Sequence, residues 1–250
     1  MNSRIRRLLG STVGRTPVRI RRGVAKGARW TLYPWTSYWR GAHEPSMQEA
    51  IGQLGDRGIR GWSCWDLGAH FGFYSVALAL RVKAEGQVAA FEPNPESFDR
   101  LDLHRRMNGL TWLKAYRCAA SDQSGASELL TYGEVDSTTS HLPYEGETMG
   151  SMTAPIPIST IRLDDLVEKG EIRPPNFVKI DVEGHGHKAL MGMMKSVAAA
   201  RPILIVAFHS DLEVKGVLGT LGPMGYRWKT VNGGASNPDS MVGGDFLFTP

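Results

Sequence analysis

No aspartate or glutamate occurs before Glu44, whereas ten basic residues do: Arg4, Arg6, Arg7, Arg15, Arg19, Arg21, Arg22, Lys26, Arg29 and Arg40. The whole chain carries 29 Lys and Arg against 25 acids, so the remainder holds 19 against 25, a net of −6. The basic character therefore belongs to the N-terminal stretch and not to the body. Cysteine is scarce as well. Cys64 and Cys118 are the only two, and both fall in apolar segments that read as buried strands. This excludes a disulfide scaffold and fits a reducing, cytoplasmic setting. No apolar run reaches the length of a membrane span, and no internal repeat is present, which sets aside solenoids and propellers.

What the chain does contain is the stretch Asp66-Leu67-Gly68-Ala69-His70-Phe71-Gly72. Ile59 to Leu67 reads as a strand and Gly68 to Gly72 as a tight turn. Phe73, Val76, Ala77 and Leu80 then mark one face of a helix running to about Lys83. An acid closing the strand and glycines in the turn let a ligand lie against bare backbone, with the amides of the helix start pointing at it. About 20 residues further on, the strand Val88-Ala89-Ala90-Phe91 ends in Glu92, the spacing at which a carboxylate accepts ribose hydroxyls. A nucleoside ligand follows from this pair.

The remaining segments fill in the architecture. Residues 1–29 form a basic arm, with Ile5, Leu8 and Leu9 in one short helix; solvation is the plain reading of its charge, and contact with an anionic membrane surface or with an acidic partner the sharper ones. Nucleic acid is not expected, because no aromatic platform follows. The aromatic segment Trp30 to His43 reads as a cap on the core and a wall over the ligand. Glu44-Pro45 opens a helix with Met47, Ile51 and Leu54 inward and Gly55 as its cap. Pro95 opens another, to about Met107. Trp112 to Ala120 is a third strand. Residues 123–158 form a long polar insert on the substrate side, in which Glu128–Tyr132 and Ala154–Ile158 pair as a ribbon. Thr160 caps a helix through Leu163 and Leu166. Phe177 to Asp181 is a fourth strand, followed by a helix with Leu190, Met191, Met194 and Val197 inward. Pro202 to Phe208 is a fifth strand, and a helix with Val214, Val217, Leu218 and Leu221 inward follows it. Tyr226–Thr230 and Asp245–Thr249 are the sixth and seventh strands, joined through 232–244 without a helix. The expected fold is α/β, a doubly wound Rossmann-like sheet of seven strands, mostly parallel with an antiparallel edge hairpin, over residues 30–250.

Taken together, Tyr38-Trp39-Arg40-Gly41 with Glu44-Pro45, the glycine turn, Phe91-Glu92-Pro93-Asn94-Pro95, Ala120-Ser121-Asp122 and Lys179-Ile180-Asp181-Val182-Glu183-Gly184-His185 resemble a class I S-adenosylmethionine-dependent methyltransferase of the FkbM type. The resemblance implies S-adenosylmethionine as cofactor and O-methylation of a hydroxyl on a sugar, polyketide or similar natural product. It also implies that Gly68, Ala69 and Gly72 approach the amino acid part of the cofactor, with His70 beside them. Glu92 would hold the ribose, Asn94 would sit beside the adenosine, and Ser121 and Asp122 would border the adenine. Asp66 and Asp181 would line the pocket. One departure is Gly186, where the family usually carries Glu.

A hydroxyl becomes a good nucleophile only as its proton leaves, so a base is expected. Asp181, Glu183, His185 and His209 all lie at strand ends on the ligand edge. Asp181 and His185 are the leading candidates, and His209 follows. A metal ion held by Asp181, Glu183 and Asp211 is the weaker option, because that ligand set is incomplete, and none is assigned. Two rival readings remain at this level. A nicotinamide-dependent oxidoreductase requires a wholly parallel sheet and Gly-x-Gly-x-x-Gly in the first turn, which here has Gly-x-x-x-Gly. A non-catalytic binding protein would keep the fold and use the basic arm as its working part.

Overall fold

The computed structural model describes residues 16–33, 36–56, 58–130, 155–233 and 241–250. The first described element is a hairpin in which β1 (Pro17–Arg19) pairs antiparallel with β2 (Arg29–Thr31). Its sequence alternates cations with small and apolar residues, and folding sorts them. Ile20, Val24, Ala25, Ala28 and Trp30 are buried, while Arg19, Arg21, Arg22, Lys26 and Arg29 stay exposed. Residues 16–29 are therefore packed and not merely solvated. The short helix expected around Ile5, Leu8 and Leu9 lies outside the described residues.

Helix α1 (Pro45–Asp56) follows, with Met47, Ile51 and Leu54 buried and Gly55 inside the helix, not capping it. Strand β3 (Ser63–Leu67) is buried along its whole length. It feeds the glycine turn and α2 (Phe73–Val82). Strand β4 (Gln87–Phe91) leads to α3 (Pro95–Met107), whose start is fixed by Pro95 and by Asn94 Oδ1 accepting the amides of Glu96 and Ser97.

The expected third strand divides in two. Strand β5 (Leu113–Tyr116) runs beside β4, but β6 (Ala119–Ala120) leaves to join β8 (Ile156–Ile161) and β7 (Gly125–Leu129) in a small separate sheet. The reason lies in the partner. The β4 ladder ends at Phe91 opposite Tyr116, and Pro93 has no amide to extend it. The β7–β8 ribbon is antiparallel as expected, with Glu128 opposite Pro157. Residues 131–154, the centre of the insert, lie outside the described residues. Thr160 belongs to β8 and caps nothing. Helix α4 (Leu163–Glu168) starts after Arg162.

Strand β9 (Phe177–Ile180) is followed by two short helices, α5 (Gly186–Met191) and α6 (Met194–Ala200), where one was expected. The break turns Met191 outward, to 52% exposure, and Met193 takes the inward position. Asp164 secures the second helix by accepting the amides of Lys195 and Ser196. Strand β10 (Ile203–Ala207), α7 (Asp211–Leu221), β11 (Arg227–Thr230) and β12 (Asp245–Thr249) complete the chain.

The seven-stranded sheet has the order β11-β12-β10-β9-β3-β4-β5. Strands β5, β4, β3, β9 and β10 are parallel, whereas β12 runs antiparallel to both its neighbours. The hairpin, α1, α2 and α3 pack on one face and α4 to α7 on the other. The strand order reverses beside β3, which places the ligand crevice at the carboxyl ends of β3, β4 and β9. Among the described residues, no helix is long and apolar enough to cross a membrane.

Candidate active site

A cavity of about 370 Å³ opens at that switch point. Its floor is the tips of β3, β4, β9 and β10. One wall is the segment from Tyr38 to Glu44, and another is Gly243 to Asp245, the approach to β12.

The glycine turn lines the cavity through Gly68, Ala69 and His70, but not through Gly72. Close packing requires both glycines. At Gly68 (φ +77°) a Cβ would run into the carbonyl oxygen of Asp181, and at Gly72 (φ +82°) into the side chain of Leu101. Asp66 does not line the cavity either. It is wholly buried behind the rim, bonded to Ser75 Oγ and 3.8 Å from Lys179 Nζ. Its role is to sit opposite Lys179 in the β3–β9 register.

Glu92 is buried at the β4 tip and lines the cavity. Its carboxylate accepts the amide of His70 at 2.7 Å through one oxygen and the amide of Asn94 at 2.8 Å through the other. Burial pushes its pKa up to about 7, against these two hydrogen bonds. Asn94 lines the cavity while its side-chain oxygen caps α3. The His70 ring is held by Tyr38, whose hydroxyl lies 2.9 Å from Nδ1. Its Nε2 is buried with no hydrogen-bond partner among the described residues. Burial lowers the pKa of this ring to about 4, so it is neutral.

Across the floor stands a charged chain. Lys179 is buried in the centre of β9, and its Nζ donates to Asp181 Oδ2 at 2.9 Å. Asp181 Oδ1 lies 3.2 Å from His209 Nε2, and His209 Nδ1 lies 3.3 Å from Glu183 Oε2. Burial opposes each of these charges, but the partners win. Lys179 and His209 hold Asp181 well below the usual carboxylate range, and Asp181 and Asp66 hold Lys179 above the usual ammonium range. The hydrogen bond to Asp181 and the charge of Glu183 push His209 up to about 9. With both ring nitrogens turned to carboxylates, His209 is an imidazolium at neutral pH and has no free lone pair for a metal ion. The trio Asp181, Glu183 and His209 is close enough to hold an ion, yet it is already neutralised from within. Asp211 is not part of it.

His185 stands apart from this chain. It lines the cavity, but its Nε2 lies 3.0 Å from Ser121 Oγ, beside β6. Burial lowers its pKa to about 4. Ser121 also donates to Asp122 Oδ1 at 3.0 Å, and neither of these two lines the cavity; Ala119, Ala120 and Leu129 do. The structure thus joins Asp181 to His209, while His185 is bonded to Ser121.

Several functional groups are not evident from motif spacing. Glu213, on α7, is fully buried and accepts the amides of Gly186 at 2.7 Å and His209 at 2.8 Å, tying the β9 and β10 tips together. A Cβ at Gly186 would collide with this carboxylate, so the space beside position 186 is filled by an acid from another element. Asp245 lines the cavity, and burial beside Asp181 and Glu44 raises its pKa to about 6. His43, Glu44 and Tyr74 form a linked edge, with Tyr74 donating to Glu44 at 2.9 Å and His43 3.2 Å from the other oxygen. Glu44 and Lys179 stand in the motifs quoted from the sequence, and Lys179 left a further signal, a cation inside an apolar strand two residues before an acid.

Residues 66–227 match the model of the methyltransferase FkbM domain. A Haloferax volcanii protein named hexuronic acid methyltransferase AglP is 31% identical over 195 residues, covering 76% of this chain and 74% of that one. Among solved structures, methyltransferase FkbM from Methylobacillus flagellatus is 17% identical with a TM-score of 0.49, over 75% of this chain and 43% of that one. An O-methyltransferase from Bacillus cereus in complex with SAH is 13% identical with a TM-score of 0.48, over 83% of each chain.

Proposed function

The chain belongs to the methyltransferase FkbM domain family, and from that premise we propose that it transfers the methyl group of S-adenosylmethionine to a hydroxyl of a small, sugar-like acceptor. The observation that carries this reading is one cavity lined both by the buried carboxylate of Glu92 and by the Asp181–His209 pair. The residues present fit the donor. Glu92 keeps acceptor capacity for ribose hydroxyls, and His70 Nε2 awaits a polar partner. Ala119, Ala120 and Leu129 offer apolar surface to an adenine ring. Among the described residues, five carboxylates face the cavity against Lys179 and His209, a balance that suits a sulfonium cation. The Haloferax relative is named for a sugar acid, which supports a sugar-like acceptor.

When bound, the donor supplies an electrophilic methyl carbon, and alignment of the acceptor does most of the remaining work. An acceptor hydroxyl entering between Asp181 and His209 gives its proton to His209 Nε2 when that ring is neutral. Glu183 holds the proton on Nδ1 and so fixes the tautomer, and Asp181 stabilises the imidazolium that results. Glu213 positions His209 through its amide. The antiparallel β12 and the Gly-x-x-x-Gly turn weigh against a nicotinamide cofactor.

Calorimetry with S-adenosylmethionine, S-adenosylhomocysteine and NADH, followed by methyl-transfer assays on a panel of uronic acids and neutral glycosides, tests this. Binding of the first two with turnover on a hydroxyl is the expected result. Binding of NADH alone, or donor binding without turnover on any hydroxyl, overturns it. Glu92→Gln should weaken donor binding about tenfold or more, the cost of a hydrogen bond to a charged group. This variant is preferred to Glu92→Ala, which would also release the amides of His70 and Asn94.

A further inference from the structure

The cations of the first hairpin have no role in this chemistry, and their arrangement calls for a partner. Arg19, Arg21, Arg22, Lys26 and Arg29, with Arg40 beside them, are all exposed, none lines the cavity, and none is in an ion pair among the described residues. They are carried on a rigid support, since Ile20, Ala25, Ala28 and Trp30 beneath them are buried. The support is fastened to the lip of the cavity. Arg22 Nε donates to Arg40 O at 3.2 Å and the Val24 amide to Gln48 Oε1 at 3.0 Å. Gln48 Nε2 donates in turn to the carbonyls of Gly41 and His43. The rest of the protein, from Glu44 onward, has a net charge of −6.

We infer that this hairpin is the docking surface of the protein on an anionic lipid bilayer. A row of cations held outward on one element, with no ion-pair partner among the described residues and on a body of opposite sign, binds such a surface in one orientation. Single-stranded nucleic acid is the poorer occupant, because the exposed residues of the hairpin include no aromatic ring on which a base could stack, and a duplex is an outcome of the test. Docking carries the Tyr38–Glu44 wall to the bilayer, so the cavity opens next to acceptors borne on that surface.

The test is flotation of the full chain with vesicles of phosphatidylglycerol and phosphatidylcholine, against vesicles of phosphatidylcholine alone, at low and high salt. Expected is binding to the anionic vesicles only, lost as salt rises. Arg21→Gln with Lys26→Gln should weaken that binding roughly 30-fold, about fivefold per cation. The melting temperature and methyl transfer to a soluble acceptor should stay at their native levels. Equal binding to neutral vesicles, no binding to either, or an unchanged affinity of the double variant overturns the inference. So does binding of duplex DNA or RNA in place of anionic vesicles, which assigns the hairpin to nucleic acid.

Discussion

His209 shows how a single side chain is set by its neighbours. An exposed histidine is mostly neutral at pH 7, but here a carboxylate faces each ring nitrogen and the pKa rises to about 9. If the neutral ring is the base, kcat/KM for the acceptor climbs with pH and levels off near pH 9. Removing the Glu183 charge lowers the His209 pKa, so Glu183→Gln should move that limb down toward the ordinary histidine range. A pH–rate profile, paired with titration of the ring by NMR, reads this directly. A limb that stays near pH 9 in the variant would assign it to another group. His185, ranked with Asp181 from the sequence, takes a different neighbour. His185 and Asp181 are close along the chain, but the turn at Glu183 (φ +48°) and Gly184 (φ +88°) sends His185 toward Ser121. No spacing rule reports that divergence.

At the scale of elements, the clearest tie is between the first hairpin and α3. His104 on α3 donates from Nδ1 to Phe71 O at 2.8 Å, while its Nε2 accepts the Thr31 amide at 3.3 Å and the ring stacks on Trp30 at 3.5 Å. One imidazole thus joins β2, the glycine turn and α3. His104→Ala should destabilise the protein by about 3 kcal/mol, since it leaves a cavity and unpaired buried groups, and chemical denaturation measures it. Burial depresses the pKa of this ring from 6.5 to about 3. Between those values the unfolded chain binds a proton that the native one does not, so stability falls as pH drops through that window. The fall should be shallower in the variant. This tie was not legible in the sequence, because it joins residues 73 positions apart. What was legible followed local rules. The strand tips at Asp66, Glu92 and Asp181 and the proline-opened α3 follow from apolar patterning and caps, and so does the antiparallel ending. The readings that failed did so where a distant partner overrode a local signal. Thr160 had a capping residue's chemistry but was claimed by β7 and β6, and Met191 kept helical spacing across a break.

On the scale of the whole molecule, a local reading of charge misjudges the N-terminal segment. The charge run of residues 16–29 reads as solvated, yet its apolar positions belong to the main core with Phe73 and Leu101. Deleting residues 1–32 should therefore cost several kcal/mol, about 3–5 for Trp30 alone. Loss of a cooperative thermal transition, or a large drop in its midpoint, is the expected result. An unaltered melting curve would mean that the hairpin is dispensable to the core. The insertion of β12 between β10 and β11 has a consequence of its own. During translation, β11 is made before the strand that links it to the sheet, and the apolar flank of β10 stays open until Thr249 has cleared the ribosome. For that interval the growing chain offers a naked edge to any passing strand. Nascent copies crowded on one message would be the first to find it.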